Sequence, residues 1–132
     1  MNNASHPAAQ YCEGLTIGGY SDWYLHARYE LDIAYENLKP TTDSNSTSHG
    51  INDYSVPKRT ANRSAGTPAQ TSIAAFQSGG GAEAFVADYH WSSTEISATG
   101  AWVLTFLDGY QLSGSKTNVL SFYVRAFRKF AL

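Results

Sequence analysis

The apolar residues of this chain repeat with two different periods, and the period changes once along the sequence. Leu31, Ala34, Tyr35 and Leu38 recur at i, i+3, i+4 and i+7, one face of a helix, and Pro40 ends the pattern. Between Ala101 and Leu107 the period is two. Trp102, Leu104 and Phe106 share one side of a strand, and Val103, Thr105 and Leu107 the other. A chain with its helical pattern first and its strand pattern last fits an α+β arrangement, not a parallel α/β sheet.

The remaining segments fill in that plan. Pro7 to Glu13 reads as a short helix with proline in its first turn, stopped by Gly14. Gly18-Gly19-Tyr20-Ser21-Asp22 is a turn cluster leading to Trp23, and Asp22 and Trp23 are placed to cap and bury the start of the second helix, Arg28 to Leu38. Residues 41–72 are mostly Ser, Thr, Asn, Gly, Pro and charge, with Ile51, Tyr54 and Val56 as thin apolar anchors. A loop of that length inside a small domain is functional or disordered as a rule. Gly79-Gly80-Gly81 reads as a flexible connector. Strands are expected over Phe85 to Ser93, Ala101 to Leu107 and Ser121 to Phe130, with a hairpin signal at Asp108-Gly109 and a strand or loop from Tyr110 to Leu120. A chain of 132 residues of this kind is one domain, 1–132.

Several function classes fall away on composition. Nine basic and eleven acidic residues give a net charge of −2, with no basic stripe to neutralise phosphates, so nucleic acid is not an expected partner. The apolar runs are only a few residues long, which argues against membrane insertion. The first residues, Met1 to Pro7, lack the basic and apolar regions of a signal peptide. Cys12 is the only cysteine; it lies in an Ala-rich helical stretch and reads as buried and inert. Nine Tyr against six Phe and three Trp suit a small core ringed by half-wet contact positions.

No catalytic or cofactor pattern emerges. The eleven carboxylates show no spacing that singles out a pair for glycoside chemistry, and His6, His26, His49 and His90 lack metal-ligand spacing. His90, between Tyr89 and Trp91, reads as a structural or surface histidine. There is no nucleophile elbow, phosphate loop or EF-hand. The chain is therefore read as a non-enzyme with no cofactor and no metal.

Three ordered blocks carry a family resemblance. They are Gly18-Gly19-Tyr20-Ser21-Asp22-Trp23-Tyr24-Leu25 with Glu30-Leu31; Tyr89-His90-Trp91-Ser92-Ser93-Thr94-Glu95; and Ala101 to Gly109 followed by Tyr123-Val124-Arg125-Ala126-Phe127-Arg128. Together they resemble the Lcl C-terminal domain-like family (domain of unknown function 1566), whose members are similar to C-type-lectin-fold proteins of bacterial adhesins and phage tails. His26 stands where that family has Pro, and Tyr24 where it has Arg. The family's N-terminal strand, which pairs with the last strand, is missing from this reading, leaving an open edge or one covered by a partner chain. The resemblance implies a C-type-lectin-like fold of two short helices, a long loop and a small antiparallel sheet. It implies no catalytic residues: one branch of the fold acts on sulfatase cysteines, but the reactive cysteine arrangement is absent here. The calcium-binding motifs of C-type lectins are absent as well.

Each block also has a plain physical reading. Trp91 and Trp102 are expected as core plates, Ser92, Ser93 and Thr94 as hydroxyls that satisfy backbone groups, and Arg125 and Arg128 as ties to carboxylates or carbonyls.

With Trp102, Leu104 and Phe106 facing the core, Val103 and Leu107 are expected to face outward. Beyond the turn, Tyr110, Leu112, Val119, Leu120 and Phe122 are bulky residues set among Ser113, Gly114, Ser115, Lys116, Thr117 and Asn118. Gathered into one patch they form a contact surface; dispersed, they complete a small core or an oligomer interface. The candidate ligand-binding residues are Val103, Leu107, Tyr110, Leu112, Ser113, Ser115, Val119, Leu120 and Phe122. In some phage and bacterial lectin-fold proteins this stretch is varied by a diversity-generating retroelement, and all of these from Tyr110 onward are residue types it yields. The resemblance thus implies a receptor-binding or adhesion domain, on a virion tail fibre or bacterial cell surface, that holds a host surface protein or glycan. The alternative is a structural virion decoration or assembly subunit, as a homo-oligomer such as a trimer or as part of a larger tail protein.

Overall fold

The computed structural model describes residues 6–118 and 122–130. Both helices form where the sequence reading puts them. α1 (Pro7–Glu13) starts on proline, whose missing N–H is one that a first helical turn leaves unpaired in any case. It closes with the Gly14 N–H donating to Gln10 O at 3.0 Å and buries Cys12. α2 (Arg28–Leu38) buries Leu31, Ala34 and Tyr35. Its first turn is closed by the Glu30 carboxylate, which accepts the Ala27 N–H at 2.8 Å. Asp22 and Trp23 do not cap it. Asp22 instead accepts from Arg128 at 2.5 Å, and the Trp23 indole N–H donates to Tyr20 O at 2.9 Å. Glu30 lies one turn inside the helix and reaches the free backbone donor directly, so no upstream cap is needed.

The strands form two antiparallel sheets. In the larger, β2 (Tyr89–Ser97), β3 (Gly100–Thr105) and β4 (Gln111–Ser115) lie in the order β2-β3-β4, with Trp91 opposite Val103 and Trp102 opposite Ser113. The β3–β4 turn uses Asp108-Gly109 as the sequence indicates: Gly109 has φ +77°, and a side chain there would collide with the Tyr35 ring. The smaller sheet pairs β1 (Tyr24–Leu25) with β5 (Ala126–Phe127). The last segment therefore finds its pairing strand inside the chain, in the residues after Trp23. On its way there it crosses the outer edge of β2, where Tyr123 exchanges backbone bonds of 2.9 and 2.8 Å with Trp91 and Tyr89. The resulting architecture is α+β.

Strand boundaries differ from the sequence reading: β2 runs on past Ser93 to Ser97, and β3 ends at Thr105, short of Leu107. β2 begins at Tyr89, not Phe85, because Asp88 turns the chain by accepting the Tyr89 N–H at 2.7 Å. Phe85 drops from the strand into the core and stacks on Phe106 at 4.0 Å with the rings parallel to within 2°. Of the expected last strand, Ala126–Phe127 is regular strand and Tyr123 a single bridge.

Each face of the three-stranded sheet carries a buried cluster, the first of them only at its Leu104 end. On one lie Leu31, Ala34 and Tyr35 of α2 with Phe85, Leu104 and Phe106. On the other, Trp91, Ala101 and Val103 form a second cluster, covered by Ala8 of α1, Leu25, Leu112, Phe122 and Val124. Gly114 is required there, since a Cβ would lie 2.9 Å from both Trp91 Cη2 and Val103 Cγ1. The Ser-Ser-Thr run of β2 satisfies backbone groups as expected: Ser92 Oγ donates to Trp102 O at 2.8 Å, Ser93 Oγ donates to His26 O at 3.1 Å, and Thr94 Oγ1 accepts the Arg28 N–H at 2.9 Å. Arg125 and Arg128 likewise tie down Glu83 and Asp22.

Residues 41–72 contain no helix or regular strand, yet they are anchored, and by polar groups. Tyr54 and Val56 are 70% and 95% exposed and anchor nothing in the core. Arg63 does so instead. Its guanidinium bonds Asp32 and Glu36 of α2, donates to Gly109 O at 2.9 Å and lies 4.7 Å from the Tyr35 ring centroid. Asn45 is the second anchor: its amide donates to Pro68 O at 2.8 Å and its carbonyl accepts the Tyr35 hydroxyl at 2.6 Å. The glycine run at 79–81 is less permissive than a connector, because a Cβ on Gly81 would sit 2.5 Å from Ala75 O and Gln77 O.

Candidate functional site

Residues paired across antiparallel strands point to the same face. Trp102 with Ser113 and Gly100 with Ser115 therefore share the face on which α2 lies, and Val103 with Leu112 and Ala101 with Gly114 share the other. The α2 helix covers the Leu104 end of its face. Past that end the face opens to solvent, and Trp102 is half-buried under one residue, Arg28, whose guanidinium sits 3.5 Å from the indole centroid. Cation–π stacking of this kind holds both partners.

Arg28 is fixed from its other side too. Its Nε donates to Gln111 Oε1 at 2.5 Å, and Gln111 Nε2 in turn donates to the buried Asp32 carboxylate at 2.8 Å. The backbone N–H of Gln111 donates to His49 Nε2 at 2.9 Å, so His49 carries its proton on Nδ1 when neutral. Burial, and after it the Arg28 charge, depress the pKa of His49. The His49 ring lies 5.7 Å from Tyr110, while Tyr29, beside Arg28, lies 4.6 Å from Tyr54 with the rings tilted by 37°. The result is one connected band: Tyr54, Tyr29, Arg28, Trp102 with Ser113, then Gln111, His49 and Tyr110. Aromatic rings held by a rigid sheet and a helix start offer large contact area with little side-chain freedom to lose.

The seven sequence-derived candidates among the described residues do not form one patch. Ser113 and Ser115 are exposed on the band's face, and Tyr110, 40% exposed, is at its end; Leu107, 44% exposed, sits on the adjoining turn. Val103 is the clear correction: it is 1% exposed and is a core residue. The outward assignment assumed a sheet wet on one side, whereas Trp91 and its neighbours pack over Val103 on the second side. Leu112 and Phe122 are half-buried on that same side, with Phe122 edge-on to Trp91 at 5.1 Å. Val119 and Leu120 lie outside the described residues.

Sequence reasoning missed Arg28, Tyr29, His49 and Tyr54. A Tyr on the polar side of α2 and a Tyr in a polar loop were the available signals, but nothing in their spacing shows that they meet. Trp102, expected as a core plate, is instead the half-open centre of the band; Trp91 is the plate, 3% exposed.

The other titratable groups have structural settings. Burial pushes the Cys12 thiol up to about 11, away from the range of a nucleophile. His90 is buried, with Nδ1 2.9 Å from Asp88 O, and burial lowers its pKa to about 4. His26 is fully buried 4.2 Å from the Phe127 ring, neither ring nitrogen has a partner among the described residues, and burial lowers its pKa to about 4 as well. Among the described residues no three His, Cys, Asp or Glu side chains gather as a metal site, and no helix is long and apolar enough to cross a membrane. No family model matches the chain, and no curated protein matches it.

Proposed function

We propose that this chain is a non-enzymatic recognition domain of C-type-lectin-like fold, of the kind carried by phage tails or bacterial surfaces, and that it holds a host surface protein or glycan on the band from Tyr54 to Tyr110. The observation that carries this reading is the Arg28–Trp102 stack, locked by Gln111 and flanked by exposed tyrosines. The order of helices, long polar-anchored segment and antiparallel hairpin is in keeping with such a fold, as are the Gly18–Leu25, Tyr89–Glu95 and Tyr123–Arg128 blocks. On this reading Tyr110, Ser113 and Ser115 are positions free to vary among the described residues, since Leu112 and Phe122 pack against the Trp91–Ala101–Val103 cluster.

The test is a binding screen of the whole chain against bacterial envelope fractions, with protease-treated and glycosidase-treated arms to separate protein from glycan. Ser113→Arg places a bulky charge at the centre of the band without touching the core. It is expected to weaken capture by about tenfold or more, and Phe130→Ser, at an exposed aromatic outside the band, to leave it unchanged. Equal capture by both variants would remove the band from the reading.

A second reading, an assembly subunit, is favoured by the outer edge of β4. Gln111 directs its N–H outward to His49, so the alternation of the ladder directs the Ser113 backbone groups outward too, and among the described residues they have no partner. An open edge is a template for a second chain. Light scattering separates the two: a monomer supports recognition by single domains, and a trimer that disappears in Ser113→Pro supports assembly through β4.

A further inference from the structure

Every arginine of the chain but one holds a carboxylate. Arg59 and Arg63 pair with Glu36, Arg63 also with Asp32, Arg125 with Glu83 and Arg128 with Asp22. The lysines are engaged in the same way. Lys58, Lys116 and Lys129 each hold a carboxylate, and the buried Lys39 ammonium donates to Asp43 O. Arg28, half-buried at the start of α2, is the cation left without a counter-charge among the described residues, and it sits in the middle of the aromatic band.

Its guanidinium is nonetheless fixed. The central carbon lies 3.5 Å from the Trp102 ring centroid, and Nε donates to Gln111 Oε1 at 2.5 Å. The two terminal nitrogens, Nη1 and Nη2, have no acceptor among the described residues, and neither is buried, so both are open to solvent. A guanidinium held by its face and its Nε presents these nitrogens as a preset fork, matched to the two oxygens of a carboxylate. One spare cation on a chain of net charge −2 suits a single negative group, not a densely charged polymer.

The neighbours of the fork indicate what carries that group. Ser113, opposite Trp102 in the sheet, and Ser115 are exposed hydroxyls on the same face. His49 uses Nε2 to accept the Gln111 N–H, and its Nδ1, unpaired among the described residues, is open to solvent as a donor. Tyr29 and Tyr110 add exposed rings. A sugar ring meets all of these at once, with hydroxyls for the serines and His49 and C–H faces for the tyrosines. Resting on the band as the recognition surface, we propose that its ligand is a sugar bearing a carboxylate, a hexuronic acid residue of an envelope glycan, and that the Arg28 fork holds the carboxylate.

Methyl β-D-glucuronide is titrated into the whole ¹⁵N-labelled chain at neutral pH and low salt, following the Arg28 Nε–H and the amides of residues 111–113. Methyl β-D-glucoside is the neutral match, and N-acetylglutamate methylamide is the acidic peptide. The glucuronide is expected to shift these signals saturably, with the glucoside weaker by about tenfold or more. Arg28→Lys keeps the charge but loses the fork, and is expected to weaken glucuronide binding about fivefold or more. Ser113→Glu sets a carboxylate of the chain beside the fork from an exposed strand position, so it stands as the test if Arg28→Lys fails to fold. It is expected to weaken binding about tenfold more than Ser113→Gln, which has the same shape without the charge. The glucoside binding as well as the glucuronide, Arg28→Lys binding as tightly as the parent, or Ser113→Glu matching Ser113→Gln would each overturn the proposal. Tighter binding of the peptide would overturn the sugar and assign the fork to an acidic protein. No shift with glucuronide, while envelope capture still falls in Ser113→Arg, would overturn the carboxylate alone; capture indifferent to Ser113→Arg would remove the band with it.

Discussion

Arg63→Met isolates the interaction that fastens residues 41–72 to the helix. The Arg63 side chain is 3% exposed and bonds Asp32, Glu36 and Gly109 O. Methionine preserves most of its volume and length over the Tyr35 ring but removes every donor. Glu36 keeps Arg59 as a partner, and Asp32 keeps only the Gln111 amide, so a carboxylate 7% exposed loses its cation. Removing one member of a buried ion pair costs about 3–5 kcal/mol, most of it the uncompensated charge left behind. Gly109 O also loses its Arg63 donor, in the same unfavourable direction. A domain of this size has about 5–15 kcal/mol in total, so the variant is expected to lose about a fifth of its stability or more. Urea denaturation followed by circular dichroism at neutral pH measures it. Two controls bracket the cause. Arg59→Met, whose side chain is 22% exposed, is expected to cost about 1 kcal/mol or less. Asp32→Asn added to Arg63→Met is expected to recover part of the loss, because the stranded charge is then gone. If Arg63→Met cost no more than Arg59→Met, the buried hub would not be what holds the segment.

Acid is expected to destabilise the fold through His26 and His90. Burial holds both at about 4 in the native state, against an ordinary value of 6.5, so on acidification the unfolded chain takes up protons first. Their contribution is complete above pH 6.5, falls between there and about 4, and levels off below, with each worth on the order of 3 kcal/mol. His26→Phe removes two unpartnered nitrogens and is expected to flatten the fall of melting temperature with acid; an unchanged slope would exonerate His26. Gly109→Ala is expected to cost about 2 kcal/mol or more in thermal unfolding, since φ is +77° and the Tyr35 ring blocks the Cβ; a loss within about 0.5 kcal/mol would mean that the turn relaxes freely. Cys12, buried with its thiol raised to about 11, is expected to react with a disulfide reagent only after denaturant is added; rapid native labelling would contradict its burial.

Local chemistry was legible in the sequence and distant chemistry was not. Pro7, Gly14 and Pro40 mark helix ends by their own backbone limits, and both helices fall where they point. The Asp108-Gly109 turn is as local. Val103 went wrong because alternation shows that a strand has two faces but not how many are covered; Ala8, Leu25 and Phe122, all distant in sequence, cover the second. Composition offers the long segment only the thin apolar anchors Ile51, Tyr54 and Val56, whereas the anchor that holds it is polar: Arg63 reaches back 31 positions to Asp32. For the same reason the band stayed hidden. Arg28 and Gln111 meet across 83 positions, and only the folded sheet brings Trp102 beneath the guanidinium.

Amide hydrogen exchange of the whole chain, alone and bound to the envelope fraction that captures it, tests the recognition surface most directly. The account expects new protection in residues 110–115 and 49–54, on the strand and loop that carry Tyr110, Ser113, His49 and Tyr54. Protection confined to α1 or to the β1–β5 pair, with residues 110–115 unchanged, would contradict it.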